Sequence, residues 1–361
     1  MIIIVLGCYP ESEQSDIISE IVFYQKIKGV IMQNHYYFYL SPNNNPHHTL
    51  AVEEYMMNHV SPGDVILYLY IHSDSIIIGK NQNAWAECRH EQLGADGGIL
   101  ARRVSGGGAV FHDMENLNFS FIVGRETYDL HRQLKVMLDA AKMFGIDAEF
   151  SGRNDILADG RKFSGNAFCF RKNGAFHHGT ILINTDMTKL SKYLAVPKDK
   201  IESKGIASVR SRVVNLAELN PQITPASMTQ ALKKSFAAEY GEPQEYPFTQ
   251  EAWDEIAKIE ERNAGWDWLF GQTPQFDITI KTRFAWGGIE LLLKTKDAVI
   301  EDATLYSDAM DADFMASIPN ALKGSVFRSQ ELAERLLSLP ETEEQKQITE
   351  DIAAYIVEQG Y

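Results

Sequence analysis

The spacing of apolar and polar positions changes several times along the chain, and each change marks an element. The regular pattern begins at His35-Tyr36-Tyr37-Phe38-Tyr39. After a polar loop at residues 43–48, Leu50-Ala51-Val52-Glu53-Glu54-Tyr55-Met56-Met57 has the period of an amphipathic helix, with Thr49 as its expected N-cap. Residues 65–70 (Val-Ile-Leu-Tyr-Leu-Tyr) and 75–79 (Ser-Ile-Ile-Ile-Gly) are β-rich runs expected to pair with each other. Leu130, Leu134, Met137, Leu138, Ala141 and Phe144 recur at helical spacing until Gly145 stops them. Asp159-Gly160 and Asn173-Gly174 are tight-turn dipeptides between alternating segments, so residues 156–183 read as a three-stranded antiparallel meander.

Helical spacing returns at 227–240 and 253–262, followed by Gly265-Trp266-Asp267-Trp268 and a Gly271/Pro274 break. Beyond it, strands are expected at 276–284, 288–294 and 298–305, and helices at 329–339 and 343–358. Helices and strands mix without a regular βαβ alternation, which predicts an α+β fold. At 361 residues the chain is expected to divide into a domain over 32–270 and a smaller one over 271–361. Residues 1–31 read as an extension outside both, with Met32 as the natural start. Leu6-Gly7-Cys8 superficially suggests a lipoprotein cleavage box, but no Lys or Arg precedes it and the apolar run is short.

Composition narrows the class. Hydrophobic residues make up 45% of the chain, enough for a sizeable core. Cys8, Cys88 and Cys169 form neither a disulfide framework nor a zinc cluster, and no run approaches the roughly 20 apolar residues of a spanning helix, so a cytoplasmic protein without a membrane partner is expected. A net charge of −15 argues against a nucleic-acid binder. The charge is unevenly placed: residues 101–212 hold 18 Lys+Arg against 12 Asp+Glu, whereas residues 271–361 hold 8 against 16. A local positive field in an acidic chain suits a small polyanion such as ATP.

Arg102-Arg103-Val104-Ser105-Gly106-Gly107-Gly108-Ala109-Val110-Phe111-His112 lies inside that field. Consecutive glycines let backbone N–H groups turn inward as an anion nest, and the two arginines offer forks suited to phosphate or carboxylate oxygens. The run is neither a P-loop nor a dinucleotide fingerprint, and alone it could equally be a surface turn. A second cluster runs from Ser151-Gly152-Arg153-Asn154-Asp155 to Asp159-Gly160-Arg161-Lys162-Phe163-Ser164-Gly165-Asn166-Ala167. Lys162 is placed on a strand beside small residues that leave room above the sheet, and Asp155 is read either as a Mg²⁺ ligand bridging nucleotide phosphates or as an Asx-turn residue. In His177-His178-Gly179-Thr180 the two imidazoles point to opposite faces of a strand, so one faces the site and the other faces structure. Lys198, Lys200, Lys204, Arg210 and Arg212 form a basic loop expected to close over the site.

Together these stretches resemble the lipoate–protein ligase A family, from about Tyr36 to the C-terminus. The resemblance implies a catalytic domain of the biotin/lipoate ligase type, related to class II aminoacyl-tRNA synthetase cores, with a small α+β accessory domain. It implies ATP-dependent activation of lipoate to lipoyl-AMP, with Mg²⁺, and transfer to a lysine of lipoyl domains of 2-oxoacid dehydrogenase E2 subunits or of glycine cleavage H protein. It assigns nucleotide contacts to Arg103, Gly108, Ala109, Val110, Phe111 and Lys162, with Lys162 also on lipoate as the catalytic residue. Gly106, Gly107, Asn154 and His178 complete the expected substrate-binding set, Asp155 the metal ligand, and a monomer is expected. The rivals are an acyltransferase of the same superfamily with Cys169 as nucleophile, a biotin ligase, and a non-catalytic lipoate binder.

Overall fold

The computed structural model describes residues 34–152, 154–194, 212–270, 278–296 and 299–359. The expected extension over 1–31, Arg153 and the basic residues Lys198, Lys200, Lys204 and Arg210 lie outside the described residues.

In chain order the main elements are β1 (His35–Leu40), α1 (Pro46–His59), β2 (Asp64–Ile71), β3 (Ser75–Ile78), β4 (Ile99–Arg102), β5 (Val110–His112), β6 (Asn116–Gly124), α2 (Leu130–Lys142), β7 (Ala148–Ser151), β8 (Asp155–Ala158), β9 (Arg161–Phe170), β10 (Gly174–Leu182), α3 (Met187–Tyr193), α4 (Pro225–Tyr240), β11 (Gln244–Glu245) and α5 (Gln250–Ala264). A second group follows: β12 (Ile278–Phe284), β13 (Gly287–Lys296), β14 (Val299–Ser307), α6 (Ala312–Leu322), α7 (Ser329–Leu337) and α8 (Glu343–Gln359). The large sheet has the order β11-β1-β2-β6-β10-β9-β8-β7, parallel at β11-β1-β2 and antiparallel from β2 onward. The meander expected over 156–183 is β8-β9-β10.

Both faces of this sheet are covered. On one, Leu67, Phe119, Phe121 and Ile181 pack against α2 and α4 through Leu134, Met137, Leu232 and Phe236. On the other, Ile66, Tyr68, Ile122 and Phe176 pack against α1 and α5 through Val52, Met56 and Ile256. Central strands buried on both faces explain why residues 65–70 read as a continuous apolar run rather than an alternation.

Two expectations are corrected. The helix starts at Pro46, capped by Asn45, whose side chain accepts from His47 N at 2.9 Å. Proline at the first position has φ already set for a helix, and Asn45 supplies the missing acceptor. Thr49 instead lies inside the helix, bonded to His72 Nε2 at 2.6 Å. Nor do β2 and β3 pair: β3 lies between β4 and β5 in a separate three-stranded sheet. The fully buried β2 needs neighbours on both edges and finds them in β1 and β6. Helix α6, with Pro319 inside it, was not anticipated.

The strands β12, β13 and β14 form a small antiparallel sheet with its own core, in which Leu291, Leu293 and Leu305 meet Met315, Ile318, Leu336 and Ile352.

Buried histidines make the fold acid-sensitive. Burial pushes His72 and His177 down to about 3, helped by neighbouring imidazoles, and pushes His112 well below its usual value through burial, His72, Arg103 and His178. The unfolded chain therefore binds protons that the folded chain refuses once the pH drops below about 6.5. Stability is fully present above that value and falls by about 1.4 kcal/mol per pH unit for each such histidine as pH falls towards 3. Urea midpoints should drop between pH 7 and pH 5, and His72→Gln should flatten that slope by one histidine's share. An unchanged slope would remove His72 from the account.

Candidate functional site

The glycine loop leaves β4 and returns as β5. Gly107 has φ +89°, a conformation that favours glycine, and an added Cβ at Gly106 would lie 2.3 Å from Ala309 O. Arg103 fills the inside of the loop. Its Nε donates to Ser105 Oγ and Gly106 O (both 3.1 Å), Nη1 to Ile77 O (3.1 Å), and Nη2 to Gly106 O (2.7 Å) and Gly108 O (2.8 Å). Burial lowers the guanidinium to about 10, which leaves it charged at neutral pH. Arg102 likewise serves backbone: it donates to the carbonyls of Gly79, Lys80, Gln82, Trp268 and Leu269, tying β4 to the segment after α5. Of the two forks expected to face an anion, that of Arg103 shapes the glycine loop from inside and that of Arg102 ties β4 to residues 79–82 and 268–269.

Beneath the loop, Ser105 Oγ lies 2.8 Å from His178 Nε2, and His178 Nδ1 lies 2.9 Å from Glu53 Oε1 on α1. Tyr70 Oη donates to the same Glu53 oxygen at 3.3 Å. Ser105, His178 and Glu53 are all buried. Glu53 carried no chemical signal in the sequence, because a glutamate on an amphipathic helix reads as part of a solvated face. Phe111 is packed beside Ile76, Ile78 and Tyr193, so its side chain belongs to a core, while Ala109 and Val110 are half-buried.

Lys162 reaches the same face of the sheet by way of a β-bulge. The β8–β9 register passes from Ile156↔Ser164 to Leu157↔Lys162, omitting Phe163. Phe163 thereby enters the core under α2, and Lys162 turns to the side of Gly165, Ala167 and His178, a re-aiming typical of bulges. A Cβ at Gly165 would lie 2.9 Å from Lys162 Nζ, so the room expected above the small residues is used by the lysine itself. Nζ is 2.7 Å from Asp155 Oδ1, with both side chains about one-third exposed. Lys162 N also donates to Arg212 O at 2.7 Å, which brings the far end of the basic segment beside it.

The imidazoles of His177 and His178 do take opposite faces. His178 serves the glycine loop, whereas His177 bonds Gln133 on α2 and Asn166 on β9. Asn154 is engaged with Asn166, donating from Nδ2 to its carbonyl at 3.0 Å. The turn between β14 and α6 rests on the glycine loop: Gly107 N donates to Ala309 O at 3.2 Å, Asn81 bonds Ser307 and Ala312, and Asp313 pairs with Lys80 and Arg171. Lys80, Ser105, Asn166 and Asp313 were not marked in the sequence. Ser105 and Asn166 stood inside conspicuous runs without a role of their own, whereas Lys80 and Asp313 stood in none.

A glycine loop braced from inside by Arg103, a lysine–aspartate pair on the adjoining sheet face and a docked C-terminal unit stand in a chain whose catalytic domain matches an enzyme class, the lipoyl protein ligases. Residues 45–237 match the lipoyl protein ligase A/B catalytic domain, and residues 273–356 match the bacterial lipoate protein ligase C-terminus. A lipoate-protein ligase A from Bdellovibrio bacteriovorus is 37% identical over 309 residues, covering 83% of this chain and 91% of that protein. One from Psychrobacter cryohalolentis is 40% identical over 288 residues, covering 77% and 85% respectively. Among solved structures, P. falciparum LipL1 in complex with lipoate has TM-score 0.78 at 30% identity and covers 90% of this chain and 99% of its own. A lipoate-protein ligase A bound with ATP has TM-score 0.58 at 26% identity, covering 66% of this chain and 99% of its own. The chain belongs to the lipoate–protein ligase A family.

Proposed function

We propose that this chain is a lipoate–protein ligase that joins free lipoate to AMP, releases pyrophosphate, and passes the lipoyl group to a lysine of an acceptor lipoyl domain, such as those of 2-oxoacid dehydrogenase E2 subunits or H protein. A Thermoplasma acidophilum bi-partite lipoate protein ligase, described together with its E2 lipoyl domain, is 26% identical and has TM-score 0.60, which supports this choice of partner. The reading places the chain in the cytoplasm as a monomer. Among the described residues no helix is long and apolar enough to cross a membrane.

The observation that carries the reading is the convergence of the glycine loop, through Ser105 and His178, and of Lys162, through Gly165, on one sheet face. In the first step a lipoate carboxylate oxygen attacks the α-phosphorus of ATP, and the bond to pyrophosphate breaks. That step brings two anions together, so fixed donors and positive charge must be in place beforehand. Lys162 Nζ faces both the carboxylate and the α-phosphate, and the N–H groups of Gly106 and Gly108 hold phosphate oxygens; that of Gly107, donated to Ala309 O, joins them only when this contact with the C-terminal unit is released. In the second step the acceptor amine, having lost its extra proton, attacks the acyl carbon and AMP leaves.

Asp155 fits a Mg²⁺ ion of the kind held mainly by substrate phosphates. It offers one accessible carboxylate, and among the described residues no group of three or more His, Cys, Asp or Glu is gathered for a metal. When bound, Mg²⁺ neutralises charge on the departing pyrophosphate. Asn154 at the entrance of β8 holds the turn that carries Asp155.

The Cys169 acyltransferase reading is disfavoured: the thiol is buried against the α1 core, and burial pushes it up to about 12. Lipoate-dependent ATP–pyrophosphate exchange, with octanoate and biotin as competitors, tests the proposal. Exchange should require lipoate, and Cys169→Ala should retain it within about twofold. Acyl transfer that needs Cys169 and no ATP would sink the ligase reading.

A further inference from the structure

We propose that His177, braced by Gln133, is a positioning residue that acts through Asn166 on the Asn154–Asp155 corner and thereby holds the Asp155 carboxylate against Lys162. The proposal deepens the ligase reading and rests on it.

Asn166 and Asn154 are joined three times. Asn166 N and Nδ2 both donate to Asn154 O, at 2.9 and 3.0 Å, and Asn154 Nδ2 donates to Asn166 O at 3.0 Å. This reciprocal pairing fixes the peptide immediately before Asp155, whose carboxylate stands 2.7 Å from Lys162 Nζ.

The orientation of the chain follows from its hydrogen inventory. With Nδ2 of Asn166 directed at Asn154, its Oδ1 is left facing His177 Nε2 at 2.8 Å. An amide oxygen only accepts, so the imidazole carries its proton on Nε2. Burial holds the ring neutral, which leaves Nδ1 as a bare acceptor. The side chain beside Nδ1 is Gln133, 3.2 Å away, whose Nε2 is a buried donor without a partner. A half-turn of the Gln133 carboxamide gives both groups a partner and sets one direction for the whole relay, from Gln133 to His177 to Asn166 to Asn154.

The surroundings hold this arrangement. Gln133 and His177 are fully buried and Asn166 nearly so. The imidazole is stacked between Phe121 and Phe168, with Phe119 edge-on. Gly179 leaves space for the amide, since a Cβ there would lie 2.9 Å from Asn166 Oδ1. A polar chain inside an aromatic core is costly unless every member is satisfied, and here its far end is the site corner.

The test uses the full chain with His177→Leu and Asn166→Ala, and with His177→Gln as the conservative variant that keeps a donor for Asn166 Oδ1. ATP binding is read by calorimetry with Mg²⁺, and the KM values for ATP and lipoate are read in pyrophosphate exchange. His177→Leu and Asn166→Ala should each raise the ATP Kd and KM about tenfold, as loss of outer-shell partners typically does, with a smaller rise in the lipoate KM because Lys162 also faces the lipoate carboxylate. His177→Gln should recover most of the loss. Unchanged ATP binding, an equal rise in both KM values, or failure of both deletion variants to fold would overturn the proposal, since the relay would then serve the core alone. Absence of lipoate-dependent exchange in the unmodified protein would instead sink the ligase reading, so the two failures are distinguishable.

Discussion

Lys162→Ala leaves the protein folded and lowers lipoate-dependent pyrophosphate exchange by about 10²- to 10³-fold, the scale of removing one preorganised donor from a site of developing charge. The lysine is one-third exposed, and its contact with Asp155 is a solvent-screened ion pair, so the stability change should stay within about 1 kcal/mol. Its backbone bonds to Arg212 and Val214 do not depend on the side chain. Acyl transfer from preformed lipoyl-AMP should suffer less than exchange, because no carboxylate then has to be brought up to a phosphate. Exchange within threefold of the unmodified protein would remove Lys162 from the chemistry, and a large fall in melting temperature would recast it as structural.

Much of this site was legible in the sequence because its chemistry is local. Three consecutive glycines after two arginines mark a turn with unusual backbone freedom, and Asp159-Gly160 marks the hairpin that carries Lys162. The direction of Lys162 was not legible. It depends on a bulge that omits Phe163, and the alternation of the segment alone would have put Lys162 on the face covered by α2 and α4, with Ser164 and Asn166. Glu53 shows the same limit. Its neighbours Leu50 and Met57 identify a helix, but only the tertiary pairing with His178 distinguishes it from the exposed carboxylates of similar helices.

The strand order was illegible for a related reason. The short polar segment between residues 70 and 75 is the right length for a hairpin, and residues 65–70 and 75–79 both look like strands. Pairing is decided by which strand needs burial on both faces and both edges, a property of the whole sheet. β2 takes β1 and β6 as partners, and β3 is left to β4 and β5. The fixed charges of Arg102 and Arg103 were visible, yet their partners were not, since backbone carbonyls carry no sequence signature.

That last point gives Arg103→Lys its expected severity. The guanidinium bonds Ser105 Oγ and the carbonyls of Ile77, Gly106 and Gly108 from one planar fork. A lysine has three donors on a single nitrogen and cannot span that set, so at least one or two buried acceptors are left without partners at about 1–3 kcal/mol each. Arg103 is also the buried cation facing Glu53 and Tyr70, so a poorly placed charge weakens the support beneath the loop as well. The expected result is a stability loss of about 3 kcal/mol by urea denaturation, together with a fall in exchange of about 100-fold expressed mainly in the KM for ATP. Loss in the lipoate KM should be smaller, because the Gly106 and Gly108 carbonyls released by the substitution belong to the loop proposed to hold phosphate. A variant with an unaltered urea midpoint and an unaltered ATP KM would mean that the glycine loop keeps its shape without the fork, and the nest would then have to be attributed to its docking against Ala309.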